Sequence, residues 1–335
     1  MQVELPDRLR RWGTILLVAS VCGAASATAL AQQSWKPQGP IEISAPSAPG
    51  GGTDHTARVM QRILQERQLV TVPVVVANKS GGGGMVALNY LKQFTGNAHY
   101  LQTASAVLLS SHIVGRSPVT YTDVSPIALL QSEYIVLGVR ADSAIKSLAD
   151  LMAALKRDIA GVSFAVGTSL GGANHAAAAA IARAVGGDAR KLKTVVFKSS
   201  SESAVAALGG HVDVMAASAS QILKHARTGA MRMLAVSAPR RLSDELASVP
   251  TLKESGIDAV VDNFRLLIGP SGLTAPQLAY WDDVVGRLVQ TEEWKKDLAT
   301  NLLENTYRSS SDTRKYLDAE YAELKELLTA MGMAK

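Results

Sequence analysis

The hydrophobic and polar positions repeat one phrase: a short apolar run, a glycine-rich turn, then an amphipathic stretch. Ile41 to Ala45 reads as a strand, and Ala45 to Arg58 (APSAPGGGTDHTAR) as a stiffened turn leading into a helix. That helix, 54–67, carries Val59, Met60, Ile63 and Leu64 on one side. Val70 to Ala77 is a continuous β-branched run, the mark of a strand buried on both faces of a parallel sheet. Four glycines, Gly81 to Gly84, follow it and open a helix over 85–94. Leu101 to Ser105, 124–130 and 134–139 are further strands. A helix over 147–157 and a strand over 162–166 lead to a third glycine turn, Gly167 to His175, and an alanine-rich helix to Val185. Strand 194–197, helix 199–208 and strand 212–217 come next. This alternation predicts parallel α/β sheets with right-handed crossovers. The chain becomes irregular from about Arg240, then ends in helices over 274–289 and 312–331.

Composition narrows the function. The 335 residues suffice for two domains with ample core. Apolar residues make up 47% and charged ones 19%, the balance of a globular protein. Aromatics are only 5%, and the net charge of +5 is spread without a basic cluster, which excludes nucleic acid as a partner.

The first 31 residues read as a cleavable signal peptide. Arg8, Arg10 and Arg11 form its positive end, and Trp12 to Ala25 an apolar segment too short to span a bilayer. Ala29-Leu30-Ala31 offers the cleavage site, so the mature periplasmic chain starts near Gln32. Trp12-Gly13-Thr14 does not continue a twin-arginine pattern, which favours general secretion. Cys22, the single cysteine, lies in this leader behind Val21, a poor fit to lipidation; the mature chain then has neither disulfides nor thiolate chemistry.

Pro46 and Pro49 stiffen the first turn, Gly50, Gly51 and Gly52 permit close approach of a ligand, and Thr53 or Asp54 caps the helix. Helix starts of this kind bind anions, because unpaired N–H groups and the positive end of the dipole face the same way. All three turns follow strands, where open α/β sheets hold their ligands, so they are expected to converge. Their hydroxyls (Thr53, Ser80, Ser105, Ser169, Ser218) suit carboxylate oxygens with neither a metal nor a buried arginine. Other chemistries compete. Gly82 to Ala87 fits a dinucleotide fingerprint, but no acidic residue occurs between Arg67 and Thr122 to take the ribose. Gly167-Thr168-Ser169-Leu170-Gly171 fits the elbow of a serine esterase, with Asp213 and His225 following in order. Against it, Gly171 and Gly172 would fall in the first helical turn. The six histidines show no metal-ligand spacing. His175 either donates to a carboxylate or is satisfied by backbone; Asp54 either caps its helix or takes a ligand donor. Trp281 and Trp294 read as core.

Several stretches together carry a family likeness: Pro49 to Asp54 with Ala57-Arg58, Ala77 to Gly84, Ser169 to His175, and Leu208 to Asp213. Leu234 to Ser237 with Arg240-Arg241, Val249 to Leu252 with Glu254-Ser255-Gly256, and Asn263-Phe264-Arg265 complete the set. In this order they resemble the periplasmic solute-binding proteins of tripartite tricarboxylate transporters, the Bug-type receptors, over nearly all of the mature chain. The resemblance implies a type II periplasmic-binding-protein fold, two α/β lobes joined by two crossing segments around a ligand cleft. Lobe 1 would hold residues 34–138 plus 236–335 and lobe 2 residues 139–235. It implies a monomer without cofactor that captures a di- or tricarboxylate, or a related carboxylate, and passes it to membrane permease subunits. The ligand-binding positions carried over are Gly51, Gly52, Thr53 and Asp54, then Ser80, Gly81 and Gly82, with Ser105 and Ser218 at strand ends. Ser169, Gly171, Gly172 and His175 face them from the other lobe. Phe197-Lys198-Ser199 and Phe264-Arg265-Leu266 depart from the usual tyrosine-lysine-glycine and tryptophan-arginine-glycine, and the His175 loop resembles the tricarboxylate-type branch more than the amino-acid-type one.

Overall fold

In the computed structural model, residues 35–335 are described except 168, 169, 198 and 243; the expected leader, with Cys22 and the cleavage site, lies outside them, as does Ser169. The chain first lays down β1 (Ile41–Ala45), β2 (Val74–Asn78), β3 (Tyr100–Ser105) and β4 (Ser125–Gln131). It crosses to a second sheet of β5 (Ile135–Arg140), β6 (Ser163–Gly167), β7 (Lys193–Phe197), β8 (Val214–Ser218) and β9 (Met231–Val236), and returns at β10 (Arg265–Gly269). The spatial orders are β2-β1-β3-β10-β4 and β7-β6-β8-β5-β9. The crossings thus fall between Gln131 and Ile135 and after Val236; the expected start of lobe 2, residue 139, lies inside β5.

The expected all-parallel pairing holds for β1 with β2 and β3, and for β6 with β7 and β8. It fails at β10, antiparallel to β3 and β4, and at β5, antiparallel to β8 and β9. Each is the first strand laid down after the chain changes sheets, so it enters from the opposite end. A second expectation also fails. The run from Val70 does not form a strand buried on both faces: Pro73 delays pairing to Val74, and β2 is an edge strand with Val75 46% exposed.

Helices follow the strands on both faces. They are α1 (Gly52–Glu66), α2 (Met85–Leu91), α3 (Val107–Ile113), α4 (Leu148–Arg157), α5 (Ala173–Ala184), α6 (Ser200–Leu208) and α7 (Ala219–Ala226). The C-terminal part adds α8 (Ala275–Leu288), α9 (Glu292–Asn301) and α10 (Ser310–Ala330). Strong caps explain where several begin: Ser147 and Asp150 form a capping box on α4, and Thr274 with Gln277 forms another on α8. α5 buries Ala176 to Ala180, whose small side chains let it sit close on the second sheet. Trp281 and Trp294 are fully buried beside Ile41, Ile43 and Met60, as expected. Burying one such indole is worth roughly 5 kcal/mol as an upper bound.

Two features tie the sheets together. Behind the first crossing, Asp262 accepts from Ser132 Oγ (2.5 Å) and Tyr316 Oη (3.3 Å). Burial pushes its carboxyl up to about 6 and that of Glu320 up to about 7. α10 then runs from the core of the first sheet, where Leu317 packs, to that of the second, where Leu328 and Met331 pack.

Candidate functional site

Four helices start at the carboxyl ends of strands and aim their first residues into one cleft of about 550 Å³. They are α1 with Gly52 and Thr53, α5 with Gly172 to Asn174, α6 with Ser200, and α7 with Ser218, Ser220 and Gln221. α1, α5 and α7 have Gly51, Gly172 and Ser218 at their N-caps, none of which caps its helix through its own side chain; in α1 Ser47 Oγ takes the Asp54 N–H (3.2 Å) and leaves those of Gly52 and Thr53. Their first N–H groups are thereby left for something else, the arrangement that favours an anion. α6 differs, since Ser199 caps it through the Glu202 N–H.

The glycine turns reach the same crevice by different routes. Gly81, Gly83 and Gly84 line an adjoining cavity of about 500 Å³, which shares Thr53, Ser105 and Val107 with the first. The third turn divides, Leu170 and Gly171 facing one cavity and Gly172 to Asn174 the other. Gly81 to Gly84 all have φ between 56° and 129°, so a Cβ there would be strained.

Of the expected positions, Gly52, Thr53, Gly81, Ser105, Gly171, Gly172 and Ser218 line these cavities. Ser169 is outside the described residues. Gly51, Asp54, Ser80, Gly82 and His175 line neither cavity. The Gly51 N–H is used inside its own turn by the Ala48 carbonyl (3.0 Å). Asp54 is buried and accepts from Arg58 Nε (3.0 Å), Asn78 Nδ2 (2.8 Å) and the Gly50 N–H (2.8 Å). Burial opposes its ionised form, yet these donors outweigh that and hold it below the usual carboxylate range. It fixes the loop. His175 Nδ1 accepts from the Gly171 N–H (3.1 Å), and burial pushes its pKa down to about 4. That neutral ring shapes the third turn, which is the backbone-satisfied alternative.

The main surprise is charge. Arg265, at the start of β10, lies in the cleft with only 11% of its side chain exposed, paired with Glu133 at 3.0 Å. Arg265 Nη1 donates to the carbonyls of Asn263 (2.7 Å) and Phe264 (3.2 Å), and Asn263 Nδ2 donates to Glu133 Oε2 (2.9 Å). The guanidinium lies across the start of α1: a Cβ on Gly52 would sit 2.7 Å from Nη2. Gly52 is therefore needed for close approach. The sequence reading needed no arginine to hold an anion; the cleft nonetheless contains this one. On the rim, His55 Nε2 meets Asp297 Oδ1 at 2.9 Å; this hydrogen bond raises the His55 pKa against the opposing effect of burial.

The esterase geometry finds no support around β6. Asp213 accepts from the Ser163 N–H (2.8 Å) and Oγ (2.6 Å), at the first residue of that strand.

A profile described as "Tripartite tricarboxylate transporter family receptor" matches residues 56–333. BugT of Bordetella pertussis is 28% identical over 247 residues, 72% of this chain and 73% of that one. Among solved structures, a TctC solute-binding protein from Polaromonas superposes with a TM-score of 0.74 at 25% identity, covering 88% of this chain and 99% of the other. MatC from Rhodopseudomonas palustris, solved with bound malate, gives 0.70 at 20% identity over 87% and 99%. The architecture is the two-lobed periplasmic-binding-protein fold expected from the sequence.

Proposed function

The chain belongs to the tripartite tricarboxylate transporter receptor family, and from that premise we propose that its cleft captures a small carboxylate, typically a di- or tricarboxylate. The observation that carries this reading is the convergence of four helix starts and Arg265 on one cleft. Each helix end favours a negative charge by about 0.3–1 kcal/mol, more where water is excluded. Charge-assisted bonds from backbone N–H groups and the guanidinium add about 1.5–3 kcal/mol each. In this reading Gly52, Thr53, Ser105, Gly171, Gly172 and Ser218 contact the ligand, with Gly81 at the adjoining cavity; Ser169 is kept as a candidate from its sequence alone. Asp54 and His175 hold the loops in shape. The malate in MatC supports the ligand class.

The lobes would be residues 35–131 with 265–335, and 135–236, closing over the ligand by rotation about the two crossings. The closed monomer delivers its cargo to membrane permease subunits after secretion and cleavage near Gln32. No bond of the ligand is broken. A thermal-shift screen against organic acids tests the reading, since a ligand at 100 times its Kd adds about 2.7 kcal/mol. A flat response to every carboxylate overturns it, and hydrolysis of an ester lost in Ser169→Ala would replace it with the esterase.

A further inference from the structure

We infer that Glu133 makes this cleft select carboxylates that also carry a protonated amine, an inference that rests on the carboxylate reading above. A glutamate inside an anion-binding cleft repels the ligand it is meant to hold, so its presence needs a reason. Its backbone is fixed on the crossing between β4 and β5, where the Asn263 N–H donates to the Glu133 carbonyl (3.0 Å). The side chain is 16% exposed and lines the cleft.

Holding Arg265 in place does not account for it. The guanidinium is already fixed by two backbone carbonyls through Nη1. Arginine–carboxylate pairs that position one another frequently use both oxygens in a fork. Here Oε2 takes both Arg265 Nη2 (3.0 Å) and Asn263 Nδ2 (2.9 Å), and Oε1 has no protein partner among the described residues. A second acceptor stands nearby in the same state. Gln131, two residues earlier and 3% exposed, gives its Nε2 to Thr56 Oγ1 (3.3 Å), and its buried Oε1 has no donor. Residues two apart at a strand end face one side, and both line the cleft. Two acceptors without donors call for a ligand that brings N–H groups. A bare dicarboxylate brings none, whereas an ammonium brings three. The ligand's carboxylate then faces Arg265 and the helix starts, and its amine faces Glu133 and Gln131.

The test is calorimetry on the full mature chain with matched pairs: aspartate and succinate, glutamate and glutarate, 2-aminoadipate and adipate. The amino member of at least one pair should bind about tenfold tighter or better. Glu133→Gln keeps an acceptor for Arg265 and Asn263 but loses the charge. It should abolish that preference while leaving the plain dicarboxylate as tight as before or tighter. A tighter plain dicarboxylate in the unaltered protein overturns the inference. So does an equal loss for both members in Glu133→Gln, the result expected if Glu133 only positions Arg265. If that variant does not fold, Gln131→Leu must still lower the ratio, and an unchanged ratio overturns the proposal. Silence from both members of every pair would instead defeat the carboxylate reading itself.

Discussion

The two walls of the cleft are built on different physics. The wall from the first sheet and its crossing carries fixed charge: Arg265, Glu133 and the His55 rim, set around the start of α1. The wall from the second sheet presents Gly172 to Asn174, Ser200, Ser218, Ser220 and Gln221, with no ionisable side chain among the described lining residues. Charges distinguish one guest from another, because a misplaced partner is repelled. Dipoles and N–H groups grip many anions about equally and have no proton to lose. In the proposed carboxylate reading, selectivity would belong to the first wall and general grip to the second.

The largest break in this contrast is Arg265→Ala, which leaves Glu133 unpaired where little water reaches it. Ligand affinity should fall more than about a hundredfold, roughly 3 kcal/mol, as read by calorimetry. Gly52→Ala comes next. Its Cβ would meet the guanidinium at 2.7 Å, and the forced shift should weaken binding by about 1–2 kcal/mol at little cost in helix propensity. On the other wall, Ser218→Ala removes one hydroxyl among several donors and should cost about 1 kcal/mol or less. A loss there exceeding that at Arg265 would reverse the division of labour.

The smallest expected effect is pH. The His55 pKa is raised above its usual 6.5, chiefly by the hydrogen bond to Asp297. Its contribution to stability is therefore complete below that value and fades as pH rises through the raised one. His55→Gln should flatten part of the fall in melting temperature between about pH 6 and 8. Glu320, raised from 4.5 to about 7, adds a fall of the same sign that is complete by somewhat above 7, with Asp262, raised to about 6, acting at lower pH, so Glu320→Gln is the companion variant. Ser200→Ala on the second wall should leave the profile unchanged.

Much of the scaffold was legible because periodicity and glycine placement are local signals. The strand, turn and helix around Gly52 and around Gly172 lie within a residue or two of expectation. Strand direction was not legible: β5 and β10 owe theirs to crossings that no short window reveals. α9 was missed: its capping Thr291 and short amphipathic run fall in the stretch between the expected helices 274–289 and 312–331, to which no element was given. Asp54 could have been resolved, since Arg58 lies four positions on, the spacing of a helical ion pair. Arg265 entered only as part of the Asn263-Phe264-Arg265 likeness, without a role at the site, and Glu133 occupies a crossing of only three residues. Their pairing joins positions 132 residues apart. Only the fold could bring them together.

α10 has a mechanical consequence. Its 21 residues form a rod about 32 Å long that beds into both cores. The first half is bolted to the first sheet: Thr313 Oγ1 accepts the Leu129 N–H (2.7 Å), and Arg314 donates to the carbonyls of Tyr121 and Val124. In the far half Tyr321 Oη still meets His112 Nδ1 (2.7 Å) on the first side, while the second core is met by oily contacts of Leu328 and Met331 and by one exposed pair, Arg183 with Glu326. In the proposed rotation about the crossings, the bolted end would travel with the first sheet and the greased end would slide over the alanine helix, so those last turns would set the length of the stroke.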